Sequence, residues 1–207
     1  MTMRFCSAVL IAGAVALLDG CGLSRPPLVR TSYLLTATRE PPPAATPKPV
    51  AVKVRPLRAA PLFERKEFVY RFDSERVVSD FYNEFADAPE SMATAALTGW
   101  LRSARLFATV VEPGVPVDAP YALDGSIVTL YADLRNPAKP AAIMAIQFYL
   151  LRSANRNGPE LVFERMLQSR VYVPAATPEA IARGFSQALA EILAQLEREL
   201  AALEYRP

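Results

Sequence analysis

The 207-residue chain contains no histidine. That absence excludes Ser-His-Asp and Cys-His nucleophilic catalysis, the commonest general base, and most zinc sites. Lysine is scarce as well: Lys48, Lys53, Lys66 and Lys139 are the only ones, and none stands three residues after a serine as Ser-x-x-Lys catalysis requires. The eight glycines are isolated, so no glycine-rich loop can cradle a phosphate. No Asp-x-Asp run with a following glutamate suggests calcium. An excess of one charge is also missing, since 23 basic against 21 acidic residues leave +2, without the basic footprint of a nucleic-acid binder. A carboxylate pair assembled only by folding stays hidden in a sequence. Otherwise the composition points to a non-enzymatic protein without cofactor or metal.

Long apolar runs are lacking too. The run from Phe5 to Leu18 spans fourteen residues, short of the roughly 20 that cross a bilayer as a helix. Arg4 precedes it and small residues follow, the pattern of a secretory signal peptide. Its end, Leu18-Asp19-Gly20-Cys21, resembles the lipobox of bacterial lipoproteins, with Asp19 standing where a small uncharged residue is usual. Cleavage at that place makes Cys21 the first mature residue and the expected lipidation site. Cys6 departs with the signal, so Cys21 has no intramolecular disulfide partner. A capped thiol suits an oxidising compartment, and several acyl chains make a stable anchor. By resemblance to enterobacterial lipoproteins, Gly22 after the cysteine favours an outer-membrane anchor facing the periplasm over the inner membrane.

Residues 1–20 therefore read as signal peptide, 21–48 as a lipidated amino terminus with a proline-rich tether, and 49–207 as a single domain. Nine of the 19 prolines fall between Pro26 and Pro61, which favours extended conformations there. That stretch is either a solvated linker or a lead-in strand at Ser32–Thr36 with an ordered loop. The apolar Tyr33-Leu34-Leu35 suggests that it docks on the domain.

From Val50 the pattern becomes periodic. Val50, Val52 and Val54 alternate with Ala51, Lys53 and Arg55, and Phe68, Tyr70 and Phe72 alternate with Val69 and Arg71. Pro89 and Glu90 open a helix whose apolar face is Leu97, Trp100, Leu101 and Ala104, ending near Arg105. A strand follows at Phe107–Val111. Three longer runs form an antiparallel meander. Tyr121–Ala132 places Leu123, Ile127 and Tyr131 on one face and Val128 and Leu130 on the other. Ala141–Leu151 places Met144, Ile146, Phe148 and Leu150 against Gln147 and Tyr149. Leu161–Val173 places Leu161, Phe163, Leu167 and Val171 inward. Asn157-Gly158 marks the turn between the last two.

Thr177-Pro178-Glu179 starts a final helix, with Ile181, Phe185, Leu189, Ile192, Leu196, Leu200 and Leu203 at spacings of three and four. This stripe fits a helix lying across the sheet or a coiled-coil seam. The expected fold is α+β: an antiparallel or mixed sheet of five to six strands with two amphipathic helices packed on one face. Tyr70 and Arg71 are candidate partner contacts, because both residue types anchor interfaces, or else a core tyrosine beside a solvated arginine. Trp100 is likewise either core or recognition surface.

Several segments in order resemble the ABC-type transport auxiliary lipoproteins. They are Tyr33-Leu34-Leu35, Phe63-Glu64-Arg65, Phe68-Val69-Tyr70-Arg71, Asp80-Phe81-Tyr82-Asn83-Glu84-Phe85, Arg105-Leu106-Phe107 and Ala122-Leu123-Asp124-Gly125-Ser126-Ile127. Phe85 stands where that family commonly has tryptophan. The resemblance implies a PqiC-like, non-enzymatic component of a mammalian-cell-entry-type lipid transport system. Such a component docks a tunnel-forming substrate-binding protein, with its ABC permease and ATPase, to the outer membrane and supports membrane integrity. It also implies a homo-oligomeric ring. A periplasmic lipid-binding carrier and an outer-membrane assembly factor remain the alternatives.

Overall fold

The computed structural model describes residues 29–40, 42–44, 46–153 and 158–206. Cys21, the signal segment and Asn157 lie outside the described residues. The strands are β1 (Thr31–Tyr33), β2 (Lys48–Val54), β3 (Arg58–Ala59), β4 (Glu67–Arg71), β5 (Val77–Phe85), β6 (Phe107–Val111), β7 (Tyr121–Asp133), β8 (Ala141–Arg152) and β9 (Glu160–Tyr172). The helices are α1 (Pro89–Ala104) and α2 (Pro178–Ala202), and a short 3-10 turn occupies Pro61–Phe63.

The class is α+β with a mixed sheet, but the sheet has nine strands rather than five to six. Strand β3 has only two residues, too few to show a period. Strand β5 is hidden by its own irregularity. Val69 pairs with Ser79 while Glu67 pairs with Glu84, so residues 80–83 bulge out opposite a single residue of β4. The Asp80 carboxylate accepts the Tyr82 and Asn83 N–H groups at 2.8 and 3.2 Å and fixes that bulge. Alternation cannot survive four looped residues in nine.

The sheet forks at β7. One side of β7 pairs antiparallel with β8, which pairs antiparallel with β9, giving the expected meander. The other side pairs in parallel with β2, β3 and β4 in succession. From β2 the sheet continues to β6, and from β4 to β5 and β1. Strand β1, from the proline-rich segment, pairs in parallel with residues 83–85 of β5.

Two bulges change which side chains point inward. Between Ile127 and Thr129 the β7 register shifts by one residue, so Leu130 and Ala132 join the core and Tyr131 moves to the opposite face, the reverse of the simple alternation. In β9, Phe163 pairs with Leu150 but Leu161 with Leu151. Leu161 is therefore half exposed, whereas Phe163, Leu167 and Val171 are buried as their spacing predicts.

Helix α1 stops at Arg105, which takes the left-handed conformation (φ 50°). Helix α2 starts at Thr177, whose hydroxyl accepts the Ala180 N–H at 3.3 Å. Its stripe lies across β8 and β9, not in a coiled coil, and Ile181, Phe185, Leu189 and Leu196 are fully buried. Close approach is possible because Gly184 has no side chain. A Cβ there would meet Val173 Cγ1 at 2.7 Å and Ala142 Cβ at 2.8 Å. Trp100 of α1 is buried, and its indole N–H donates to Glu197 of α2 at 2.8 Å, so both helices share one core on one sheet face.

Candidate docking surface

The segment before β2 is laid along this core. Tyr33 stacks 5.3 Å from Phe68, Leu35 is buried, and the Thr36 N–H donates to Ser186 Oγ. Arg39 donates through Nε and Nη2 to the two carboxylate oxygens of Glu197, at 2.9 and 2.7 Å. The Arg39 hydrogen bonds hold the Glu197 carboxyl below its ordinary range, against the opposing effect of burial, and Trp100 adds to them. Ala44 N–H donates to Ala104 O at 2.8 Å before the chain enters β2.

Tyr70 and Arg71 stand on opposite faces of β4. The Tyr70 hydroxyl, half-buried, donates to Asp80 at 2.8 Å. Burial first, and that hydrogen bond second, push the phenol well above its usual value, so it stays a donor. Arg71 donates to the carbonyls of Asp73 and Ser74 and to the Tyr131 hydroxyl, and its guanidinium lies 5.6 Å from the Tyr131 ring. Both residues brace the β4–β5 hairpin. What that hairpin exposes is apolar: Phe72, Val77, Val78, Phe81 and Tyr82 are between 37 and 51% exposed. Among the described residues, strand β1 covers only the last three residues of β5, which leaves the edge from Val77 to Tyr82 open. The sequence signal for this surface was present as Val77-Val78 and Phe81-Tyr82, but reads as core without the bulge.

On the sheet face without helices, Asp133 is 5% exposed and forms the hub of a basic cluster. Arg135 donates to it through Nε and Nη2 at 2.9 and 2.7 Å, and Arg170 at 3.0 Å. The Arg135 hydrogen bond first, and that of Arg170 against burial, hold the Asp133 carboxyl far below its usual range. With Asn136, Lys139 and Tyr172 these residues line a groove of about 330 Å³. A carboxylate with a depressed folded pKa contributes stability that is complete above its unfolded value, near pH 4, and lost as pH falls through the folded value. Asp133 and Glu197 both have this sign. Urea midpoints are therefore expected to hold from pH 7 to 5 and drop below about pH 4, and Asp133→Asn should flatten the drop.

A surface groove of about 610 Å³ runs beside α1 and is lined by Pro56, Leu57, Ala95 and Pro113 together with Glu90, Arg102 and Glu112. Among the described residues no cluster of three or more acidic or cysteine side chains could hold a metal ion, and no helix is long and apolar enough to cross a membrane.

A family model described as ABC-type transport auxiliary lipoprotein component matches residues 33–197. A crystal structure of a Xanthomonas campestris protein superposes with a TM-score of 0.71 at 20% identity, covering 81% of this chain and 92% of that one. A second crystal structure, of an uncharacterized protein, gives 0.64 at 13% identity, covering 83% and 99%. Both likenesses concern the fold. Among curated proteins none matches the sequence.

Proposed function

The chain belongs to the ABC-type transport auxiliary lipoprotein family, and on that premise we propose that it is a non-enzymatic docking subunit of a lipid transport system. It is held to the outer membrane through acyl chains on Cys21 and faces the periplasm. Its partner is a mammalian-cell-entry-type substrate-binding protein that works with an ABC permease and ATPase, and the docking supports membrane integrity. The observation that carries this reading is the family match over 165 residues of the domain. The braced, apolar, half-open β5 edge supplies a surface suited to a protein partner. Tyr70 and Arg71 belong to that contact as the residues that hold it in shape. Copies assemble in a ring, which native mass spectrometry of detergent-extracted protein would read as a single multiple of the chain mass.

The lipid-carrier alternative finds no support in the fold. The space between sheet and helices is filled by buried side chains such as Phe68, Phe148 and Phe185, and the grooves lie at the surface.

Anchoring has its own test. Cys21→Ala is expected to move the protein from the membrane to the soluble periplasmic fraction and to remove the mass of the acyl chains. An unchanged mass and unchanged membrane fractionation would overturn the lipidation of Cys21. For the partner, purification from crosslinked membranes is expected to recover the permease, ATPase and substrate-binding protein together; recovery of none of them would overturn the docking reading.

A further inference from the structure

The strand directions fix which end of the domain faces the anchor. Strand β1 is parallel to β5, β5 antiparallel to β4, and β4 parallel to β7. The chain therefore enters β1 from the end of the sheet where β7 finishes. Val29 is 73% exposed, and the Arg30 guanidinium lies 4.3 Å from the Phe81 ring on that approach. Only seven residues, and so eight Cα–Cα steps, separate Cys21 from Val29. Fully extended they reach no more than about 28 Å, so the same end of the sheet is confined close to the bilayer.

That end carries the basic groove. Asp133 closes β7, Tyr172 closes β9, and Arg135, Asn136 and Lys139 lie in the turn between β7 and β8. Three basic side chains face one carboxylate. Asp133 holds Arg135 in a two-point contact and steadies Arg170, while the two side chains stay 42 and 38% exposed. The Lys139 ammonium is exposed beside them, and Tyr172 is 64% exposed at the rim. A tyrosine at the edge of a basic cluster is amphipathic in the way that suits a bilayer interface.

From the strand directions, the short reach to Cys21 and the surplus of positive charge, we infer that this groove binds the phosphate of a lipid headgroup and sets the tilt of the domain on the membrane. The inference rests on the anchoring at Cys21. A phosphodiester oxygen takes N–H donors from Arg135 and Arg170 and the charge of Lys139, while Tyr172 lies among the headgroups. Attachment then has two parts: acyl chains that retain the protein, and a groove that orients it so that the β5 edge points along the membrane toward a partner.

The test uses the lipidated protein in vesicles of phosphatidylethanolamine and phosphatidylglycerol that contain a headgroup-attached quencher. An environment-sensitive dye is placed through Ala138→Cys in the β7–β8 turn, or through Asp118→Cys in the β6–β7 loop at the opposite end. Strong quenching is expected at position 138 and little at 118. Arg135→Glu with Lys139→Glu should reduce quenching at 138 by several-fold, since each basic residue near an anionic surface contributes about a fivefold factor. Flotation with the vesicles should not change. Equal quenching at both positions, quenching at 138 that ignores the double charge reversal, or full displacement by millimolar inorganic phosphate would overturn the inference. Loss of flotation in the otherwise unaltered protein would instead overturn the anchoring reading and this one with it.

Discussion

Replacing Phe185 with alanine is expected to lower the unfolding free energy by about 3–5 kcal/mol, read as a shift of the urea midpoint at unchanged slope. Phe185 is fully buried where α2 crosses the sheet. Its ring lies 5.7 Å from both Phe68 of β4 and Phe85 of β5, and those two meet edge-on at 4.7 Å. Tyr33 of β1 extends the cluster through Phe68. Truncation therefore removes the ring's transfer free energy and opens a void under three elements at once. Phe85 is the aromatic wedge between the other two rings of this cluster. Phe185→Leu retains most of the volume and should cost less than about 1.5 kcal/mol. Equal losses for the two variants would mean that the cluster is not packed as described.

Glu197→Ala should destabilise by about 3 kcal/mol, because it breaks the two-point ion pair with the Arg39 side chain, which is 5% exposed, and removes the acceptor of the Trp100 indole N–H. Glu197 joins three separate parts of the chain: the proline-rich segment through Arg39, α1 through Trp100, and α2, on which it sits. The loss should be accompanied by faster proteolysis within residues 29–44, since this ion pair is one of the contacts that hold the segment to the helices, beside the Thr36–Ser186 and Ala44–Ala104 hydrogen bonds. Arg39→Met combined with Glu197→Leu should recover much of the stability, because an apolar pair of similar volume buries no charge. A double variant as unstable as Glu197→Ala would show that the effect comes from lost packing and not from the broken ion pair.

Much of this fold can be read from side-chain period. Valines at 50, 52 and 54 fall in β2 with alternating burial, Met144, Ile146, Phe148 and Leu150 face the core from β8, and the α2 stripe is buried from Ile181 to Leu200, with Leu203 part-buried just past the helix end. The irregular backbone is what escapes. The Asp80 bulge hides β5, the shift after Ile127 turns Tyr131 outward, and the shift at Leu151 leaves Leu161 exposed. A bulge is one local hydrogen-bond choice, yet it reverses the facing of every residue beyond it. The docking surface was legible only in part. Tyr70 and Arg71 lie beneath it, but its exposed residues depend on the bulge. The basic groove joins Asp133 to Arg170 across 37 positions, a proximity that only the β7–β8–β9 pairing creates.

On the proposed function, a transport partner docks through the open edge of β5. This docking is tested most directly by placing a photo-crosslinking amino acid at Val78, Tyr82 or, as a control, Asp118, followed by mass spectrometry of the adducts formed in intact cells. Docking predicts adducts at Val78 and Tyr82 with a subunit of an ABC transport system, and none with it at Asp118. Adducts at Val78 and Tyr82 confined to proteins outside any transport system, or equal yields at all three positions, would contradict it.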